Sequence, residues 1–493
     1  MPSPRARWLA LIAALLGWMF DGLEMGLFPL LGRPALRELL GPGTDEKTVV
    51  SWFAVINSGF LIGAATGGVL FGWLGDRLGR VRAMLYSVLL YATCSGLCGI
   101  TTAAWQLAVC RLLGSLGMGG EWALGVALVM EMWKGQHRAV LAGLIGFSGN
   151  FGFCVLGCTA LAINAGGHHL PAWLGAVGLG SDVVEYLTRN SNWRLLMMVG
   201  AVPALLTLFI RFFVPEPEQW AAEKASGQAN RWATRDLVWV LIGASFAVGV
   251  LTTWILSESW VLRIAATIVG ILAAGWCYLK PVRNYLKRLE TSSLTLQAPQ
   301  ILRRMILAAC LSGVPLLATW GGVMWMYNWV DVLAAGNPDA RPMTQAVSAF
   351  GSAVGSLLAA LLGGSSLGRR KTYAVLCLAS ALTLYGFYSW NTSYGTAFLV
   401  SAGVLGLVTS SFYGWLPLYL PELFRTGMRA TGQGFGFNFG RILASIGSLQ
   451  TMALLAAFDN NYALACSVAA GVYLVGFVLI WFAPETSGQP LPE

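Results

Sequence analysis

Runs of about twenty or more apolar residues recur along almost the whole chain, separated by short stretches of glycine, proline and charge. Coiled as an α-helix, such a run matches the hydrocarbon thickness of a bilayer, and in lipid every backbone N–H and C=O needs a partner inside its own segment. The chain is thereby constrained to cross a membrane many times as helices. The strict apolar/polar alternation of a transmembrane barrel is absent. Composition agrees: 56% of the 493 residues are apolar and 11% are charged, too few for a water-soluble surface.

The runs fall at 8–31, 50–74, 83–102, 104–130, 140–164 and 194–214, then 237–256 and 260–280, then 305–330, 342–364, 372–391, 395–420, 430–456 and 461–483. This predicts an all-α membrane protein of about fourteen helices, six plus two plus six. Three segments follow: residues 1–215 as an N-terminal six-helix bundle, 216–304 as linkers carrying a transmembrane hairpin at 237–280, and 305–493 as a C-terminal six-helix bundle. The hairpin lacks acids and breaks the pattern, so it is expected at the periphery.

The net charge of +9 sits in short loops between apolar runs, so it orients the chain in the membrane and does not bind nucleic acid. An inside N-terminus puts roughly 22 Lys and Arg on the cytoplasmic side against about six outside, which predicts a multi-pass inner (plasma) membrane protein with both termini cytoplasmic. Arg5 and Arg7 precede a first run too long for a signal sequence and without a small-residue cleavage site, so helix 1 is expected to be retained. The nine cysteines lie within apolar runs and read as small buried hydrophobes, with no metal site. His137, His168 and His169 all fall in loops, so nothing gathers a nucleophile and base at one depth. Neither an enzyme nor a cofactor is expected.

The two halves repeat. Glu131 to Arg138 reads EMWKGQHR and Glu422 to Arg429 reads ELFRTGMR; LGDRLGRVR at 74–82 answers GGSSLGRRK at 363–371; Pro215-Glu216 answers Pro484-Glu485. Three matches in register indicate duplication, and six-helix repeats rocking around a site near the bilayer midplane are a transporter architecture.

GWLGDRLGR (72–80) closely resembles the loop 2/3 signature of the major facilitator superfamily, and RLLGSLGMGGEW (111–122), PELFRTGMRATGQGF (421–435) and APETSG (483–488) extend the resemblance over nearly the whole chain. The acidic pair of FDGLE in helix 1 is similar to the organic acid:proton symporters, including sialic acid and aromatic acid carriers, and the two-helix insert resembles the sialic acid transporter in particular. The resemblance implies that helices 1 and 4 line a central cavity and that the inner-loop charges Asp76, Arg80, Glu131, Arg138, Arg369, Glu422 and Arg429 form gating contacts. Asp76 can accept from a helix N-terminus across the domain boundary, Arg80 and Arg138 can pair with Glu131, and Glu422, Arg369 and Arg429 offer the same in the second half.

Charges inside spans are costly and therefore functional candidates. Asp21 lies ~20 Å and Glu24 ~24 Å along helix 1, and Arg111 ~9 Å into helix 4 from outside, so the three share a level. They read either as a structural ion pair or as a coupling site, with Asp21 and Glu24 carrying the proton and Arg111 facing substrate. Glu121, among the glycines of helix 4, reads as a second proton site or as a hydrogen-bonding partner of a neighbouring helix. Arg441, ~16 Å into helix 11, is expected to meet substrate, with Asn438 a turn before it. Trp325 and Tyr413 are further candidates for lining the site.

The expected function is uptake of a small organic anion, such as sialic acid or an aromatic acid, driven by symport with a proton. The alternatives are a sugar or polyol transporter, which APETSG favours and the uncompensated acids disfavour, and an efflux antiporter, which the resemblance disfavours because antiporters of that superfamily usually carry a Gly-Pro signature in helix 5 and GLIGFSGNFGFCVLG (143–157) has no proline.

Overall fold

The computed structural model describes residues 4–133, 137–167, 169–190, 192–225, 233–288, 292–334 and 336–492, and these are helical with no strand among them. His168 lies outside the described residues. Thirteen helices are long and apolar enough to cross a membrane among the described residues. The first five crossings are α1 (Pro4–Leu40), α2 (Glu46–Leu78), α3 (Arg80–Cys98), α4 (Ala104–Met132) and α5 (Arg138–Gly166). The run 194–214, expected as one helix, is two: α6 (Trp193–Val199) and α7 (Ala204–Phe213), with a turn over 200–203. Pro203 has no N–H to give and disfavours a helical residue before it, so the run is long enough by hydropathy but breaks by backbone chemistry.

Next come α8 (Leu237–Leu256) and α9 (Trp260–Arg288), then α10 (Ser292–Gly321), α11 (Met326–Leu333), α12 (Ala340–Gly364), α13 (Gly368–Trp390), α14 (Thr396–Thr409), α15 (Phe412–Tyr419), α16 (Arg429–Asn438), α17 (Gly440–Ala457), α18 (Tyr462–Ser467) and α19 (Ala470–Leu479). Between lipid-soluble helices it is close approach, not a hydrophobic driving force, that holds the bundles together. A Cβ on Gly22 of α1 would lie 1.8 Å from the Gly149 carbonyl oxygen of α5, and one on Gly355 of α12 would lie 1.8 Å from that of Leu407 on α14. Only glycine permits either contact.

Helix α1 runs to Leu40, well past residue 31, and is 37 residues long. Its far end is held by Glu38, which accepts from Asn190 (2.8 Å) and Trp193 Nε1 (2.7 Å) and pairs with Arg194 (2.9 Å). The extension puts Asp21 near the middle of α1.

The hairpin α8–α9 presents Leu241, Val261 and Leu272 outward, as a lipid-facing element should. It is not merely peripheral, because α8 packs on α2 while α9 packs on α10, α16 and α17. Tyr278 hydrogen-bonds Thr66 on α2 (2.8 Å) and sets its ring edge-on to Phe439 at 6.3 Å between centroids. The hairpin thus straddles the seam between the halves.

Candidate transport site and gates

Three crossings of the second half break near mid-length: after Gly321, at Ser410–Ser411 and at Phe439. Carbonyls freed by the first break are taken by side chains, Thr451 Oγ1 donating to Gly321 (2.6 Å) and Tyr388 Oη to Gly322 (2.8 Å). Broken helices are tolerated at this depth only where they are packed or line a cavity. Here they line a cavity between the two halves.

The cavity wall is mainly aromatic and thioether, with Trp18, Met25, Trp320, Met324, Tyr413 and Phe437. Asn150, Thr319, Ser348 and Ser352 add hydrogen-bonding groups, and Arg441 is the cation in the wall. Arg441 is 1% exposed, and none of its three guanidinium nitrogens has a hydrogen-bond partner among the described residues. It lies 5.3 Å from the ring centroid of Phe437, which is itself stacked on Trp122 at 3.8 Å. A buried guanidinium without an acceptor is unfavourable, and five donors in a fixed fork are suited to a planar anion.

Asp21 and Glu121 are fully buried behind this wall as neighbouring carboxyls, with the Tyr91 hydroxyl beside Glu121. Neither makes a hydrogen bond of ordinary geometry. Arg441 is the cation that acts on Asp21. Glycine makes the approach possible, since a Cβ on Gly17 would lie 1.8 Å from Glu121 Oε1.

Other expected site residues sit elsewhere. Arg111 pairs with Glu24, whose carboxylate also accepts from Ser95, and its guanidinium lies over Phe60 at 4.3 Å. Neither residue lines the cavity; the two form a buried pair joining α1, α3 and α4, the ion-pair arrangement that was one of the two expectations for them. With Asp21 at mid-helix, the level of Arg111 is that of Glu24. Asn438 donates to the Gly119 carbonyl (2.8 Å) and fixes α16 against α4, outside the cavity wall. Trp325 lines a smaller cavity of about 290 Å3, together with Asn57, Asn328 and Arg341. Tyr413 does line the central cavity, and its hydroxyl donates to Thr319 Oγ1 at 3.1 Å.

The inner-loop charges form a latch between the halves. Arg80 pairs with Asp76 (2.6 Å) and Glu131 (3.3 Å) and donates to the Thr426 carbonyl (2.9 Å). Asp76 accepts from Thr431 N (2.8 Å) and Oγ1 (2.5 Å) at the start of α16, and Arg429 reaches Glu131 at 3.0 Å. Arg138 does not join Glu131; its acidic neighbour is Glu422, which pairs with Arg369 at 2.7 Å. Each Glu-x6-Arg motif thus sends its arginine toward the glutamate of the other half.

The repeated Pro-Glu pairs share one task. Glu216 accepts from Val81 N and Arg82 N (3.1 Å each) at the start of α3, and Glu485 from Arg369 N and Arg370 N (3.0 Å each) at the start of α13. A carboxylate there complements the helix dipole. Burial pushes Glu216 above the usual carboxylate range, while at Glu485 the N–H groups of Arg370, Arg369 and Ser487 outweigh burial and hold it below.

Sequence reasoning missed the latch at the opposite end. Arg341 on α12 donates to the Pro29 carbonyl of α1 (2.5 Å) and pairs with Asp331 (2.8 Å), and Asn164 donates to Asp339 (3.0 Å). Arg341 sits one residue outside the run 342–364 and so looked like a loop charge. Asn150, which donates to Ser356 (3.0 Å) between the halves, and Phe437 were missed too. Phe437 stands four residues before Arg441, on the same helical face, and that spacing was the available signal.

A family profile described as "Sugar (and other) transporter" matches residues 9–237. A putative metabolite transport protein of Haemophilus influenzae is 24% identical over 98% of this chain and 98% of its own length. A probable 4-methylmuconolactone transporter of Cupriavidus pinatubonensis is 26% identical over 96% of this chain and 89% of its own. Among solved structures, a major facilitator proton:xylose symporter bound to 6-bromo-6-deoxy-D-glucose superposes with a TM-score of 0.66 at 15% identity, covering 99% of this chain and 98% of that one.

Proposed function

We propose that this chain, a multi-pass membrane transporter of the major facilitator superfamily, takes up a small organic anion together with a proton. The observation that carries the reading is Arg441: a guanidinium without hydrogen-bond partners in the wall of the central cavity, beside two neighbouring carboxyls. A substrate carboxylate can take the fork with two parallel charge-assisted hydrogen bonds.

Coupling follows from charge balance. With no anion in the cavity, ionised Asp21 balances Arg441. Once a carboxylate takes the guanidinium, a charged Asp21 faces both an anion and Glu121 in a low-dielectric site, and retaining a proton on the pair is favoured. Anion and proton therefore bind cooperatively, and by reciprocity each raises the affinity for the other. The empty and the fully loaded site are each charge-balanced, whereas a site holding the anion without the proton carries an extra negative charge, which favours passage through the closed state only when empty or fully loaded.

The wall narrows the substrate class. Trp18, Trp320, Phe437 and Tyr413 offer flat faces, and Asn150, Thr319, Tyr327, Ser348, Ser352 and Ser410 add hydroxyl or amide groups. The flat faces beside Arg441 suit a planar unsaturated or aromatic carboxylate, in keeping with the muconolactone transporter among the relatives. The family profile favours a sugar as the second reading.

The two separate on binding. Purified protein in weak buffer should gain thermal stability and take up about one proton per site when muconate or benzoate is added. Stabilisation by xylose, with no response to any carboxylate, would move the reading to a sugar carrier.

A further inference from the structure

The hairpin α8–α9 lies outside the cavity wall and the latches. At the end carrying Asp76, the start of α8 and the end of α9 line a groove. Its one acid, Asp236, is buried and satisfied by Arg288 (2.7 Å) and Asn284 (2.8 Å). Exposed Arg235 and Lys287 stand at its mouth. One helical turn or two along α9, Lys280 lies 5.2 Å from the ring of Trp239 and 5.4 Å from that of Trp276, and Arg283 lies 5.2 Å from Trp276. Tryptophans with cations beside them mark headgroup depth in a bilayer. At and just past that level the groove wall continues as Val238, next to Trp239, and Ile242, about one turn further along α8; they face outward and are 55% and 36% exposed.

A groove cationic at its mouth and apolar along its wall, opening to lipid at headgroup level, matches a phosphodiester attached to acyl chains. Free phosphate would satisfy the cations and leave the apolar wall uncovered. We propose that this groove binds an anionic phospholipid, its phosphate at Arg235 and Lys287 and one acyl chain along Val238 and Ile242. The groove adjoins the inner latch, since Thr234, next to Arg235, accepts from Arg77 (2.6 Å), and Arg77 follows Asp76. A bound lipid would brace the hairpin where it straddles the seam.

Native mass spectrometry and thermal stability of the purified full chain test this, with phosphatidylglycerol, phosphatidylcholine and inorganic phosphate as probes. The wild type should retain phosphatidylglycerol and gain stability from it, with phosphatidylcholine ineffective and millimolar phosphate unable to displace it. The double variant Arg235→Gln/Lys287→Gln alters only exposed side chains and should weaken retention roughly tenfold or more, with unchanged stability in the absence of lipid. Val238→Asp, which leaves the cations in place, should weaken retention too. Undiminished retention in both variants, equal retention of phosphatidylcholine, or displacement by inorganic phosphate would each overturn the proposal, the last in favour of a soluble phosphate site.

Discussion

At the scale of single residues, the deciding feature is how the buried charges sort into two groups. Arg111 and Glu24 satisfy each other, whereas Arg441, Asp21 and Glu121 form an unbalanced trio next to a cavity. Arg441→Lys keeps the charge but loses the planar fork, so affinity for the anion should fall about tenfold, and Arg441→Gln should remove binding, both read by calorimetry. Asp21→Asn should abolish accumulation against a gradient in proteoliposomes yet spare exchange between equal pools, because exchange moves no net proton. Pure ion-pair residues should behave differently: Glu24→Gln leaves Arg111 buried without its counterion and should cost about 3–5 kcal/mol of stability, with coupling intact in the protein that folds. Much of this was legible, since a charge in an apolar run declares itself. The pairing was not, because hydropathy ended helix 1 near residue 31. The nine further residues to Leu40, held by Glu38, shift the level at which Asp21 meets its neighbours.

At the scale of elements, spans could be read from apolar length, and the repeated motifs from their register. Two things could not. Pro203 splits the sixth crossing, and the lateral face on which the hairpin docks depends on shape that hydropathy does not carry. Nor does spacing say that Arg429 crosses to Glu131 in the other half. The latch they form has a definite donor and acceptor. Asp76→Asn removes the carboxylate that holds the start of α16, and Thr431→Val removes one of the two donors that Thr431 offers it. Both should slow turnover, Asp76→Asn more than Thr431→Val, with anion affinity in detergent within about twofold of the parent, since neither residue touches the cavity. A loss of affinity equal to the loss of rate would place these residues in the binding site instead.

At the scale of the whole molecule, the halves are tied at both ends at once, by Arg80, Asp76, Glu131 and Arg429 at one and by Arg341 with Pro29 and Asn164 with Asp339 at the other. Contacts between the halves at both ends at once belong to the middle of an alternating-access cycle, and each latch stabilises closure of its own end. Opposite perturbations should therefore push the molecule in opposite directions. A Ser352→Cys reporter in the cavity wall can be labelled by a membrane-impermeant maleimide added outside intact cells, with the chain lacking the reporter setting the background. Weakening the inner latch with Glu131→Gln removes the negative charge shared by Arg80 and Arg429, favours opening inward, and should lower the labelling rate. Breaking the outer latch with Arg341→Gln should raise it. A charge-assisted hydrogen bond contributes about 1.5–3 kcal/mol, so changes of about tenfold or more are expected in each direction. Labelling that moves the same way in both variants would mean that the two sets of contacts do not oppose each other, and the rocking mechanism would have to be abandoned for this chain.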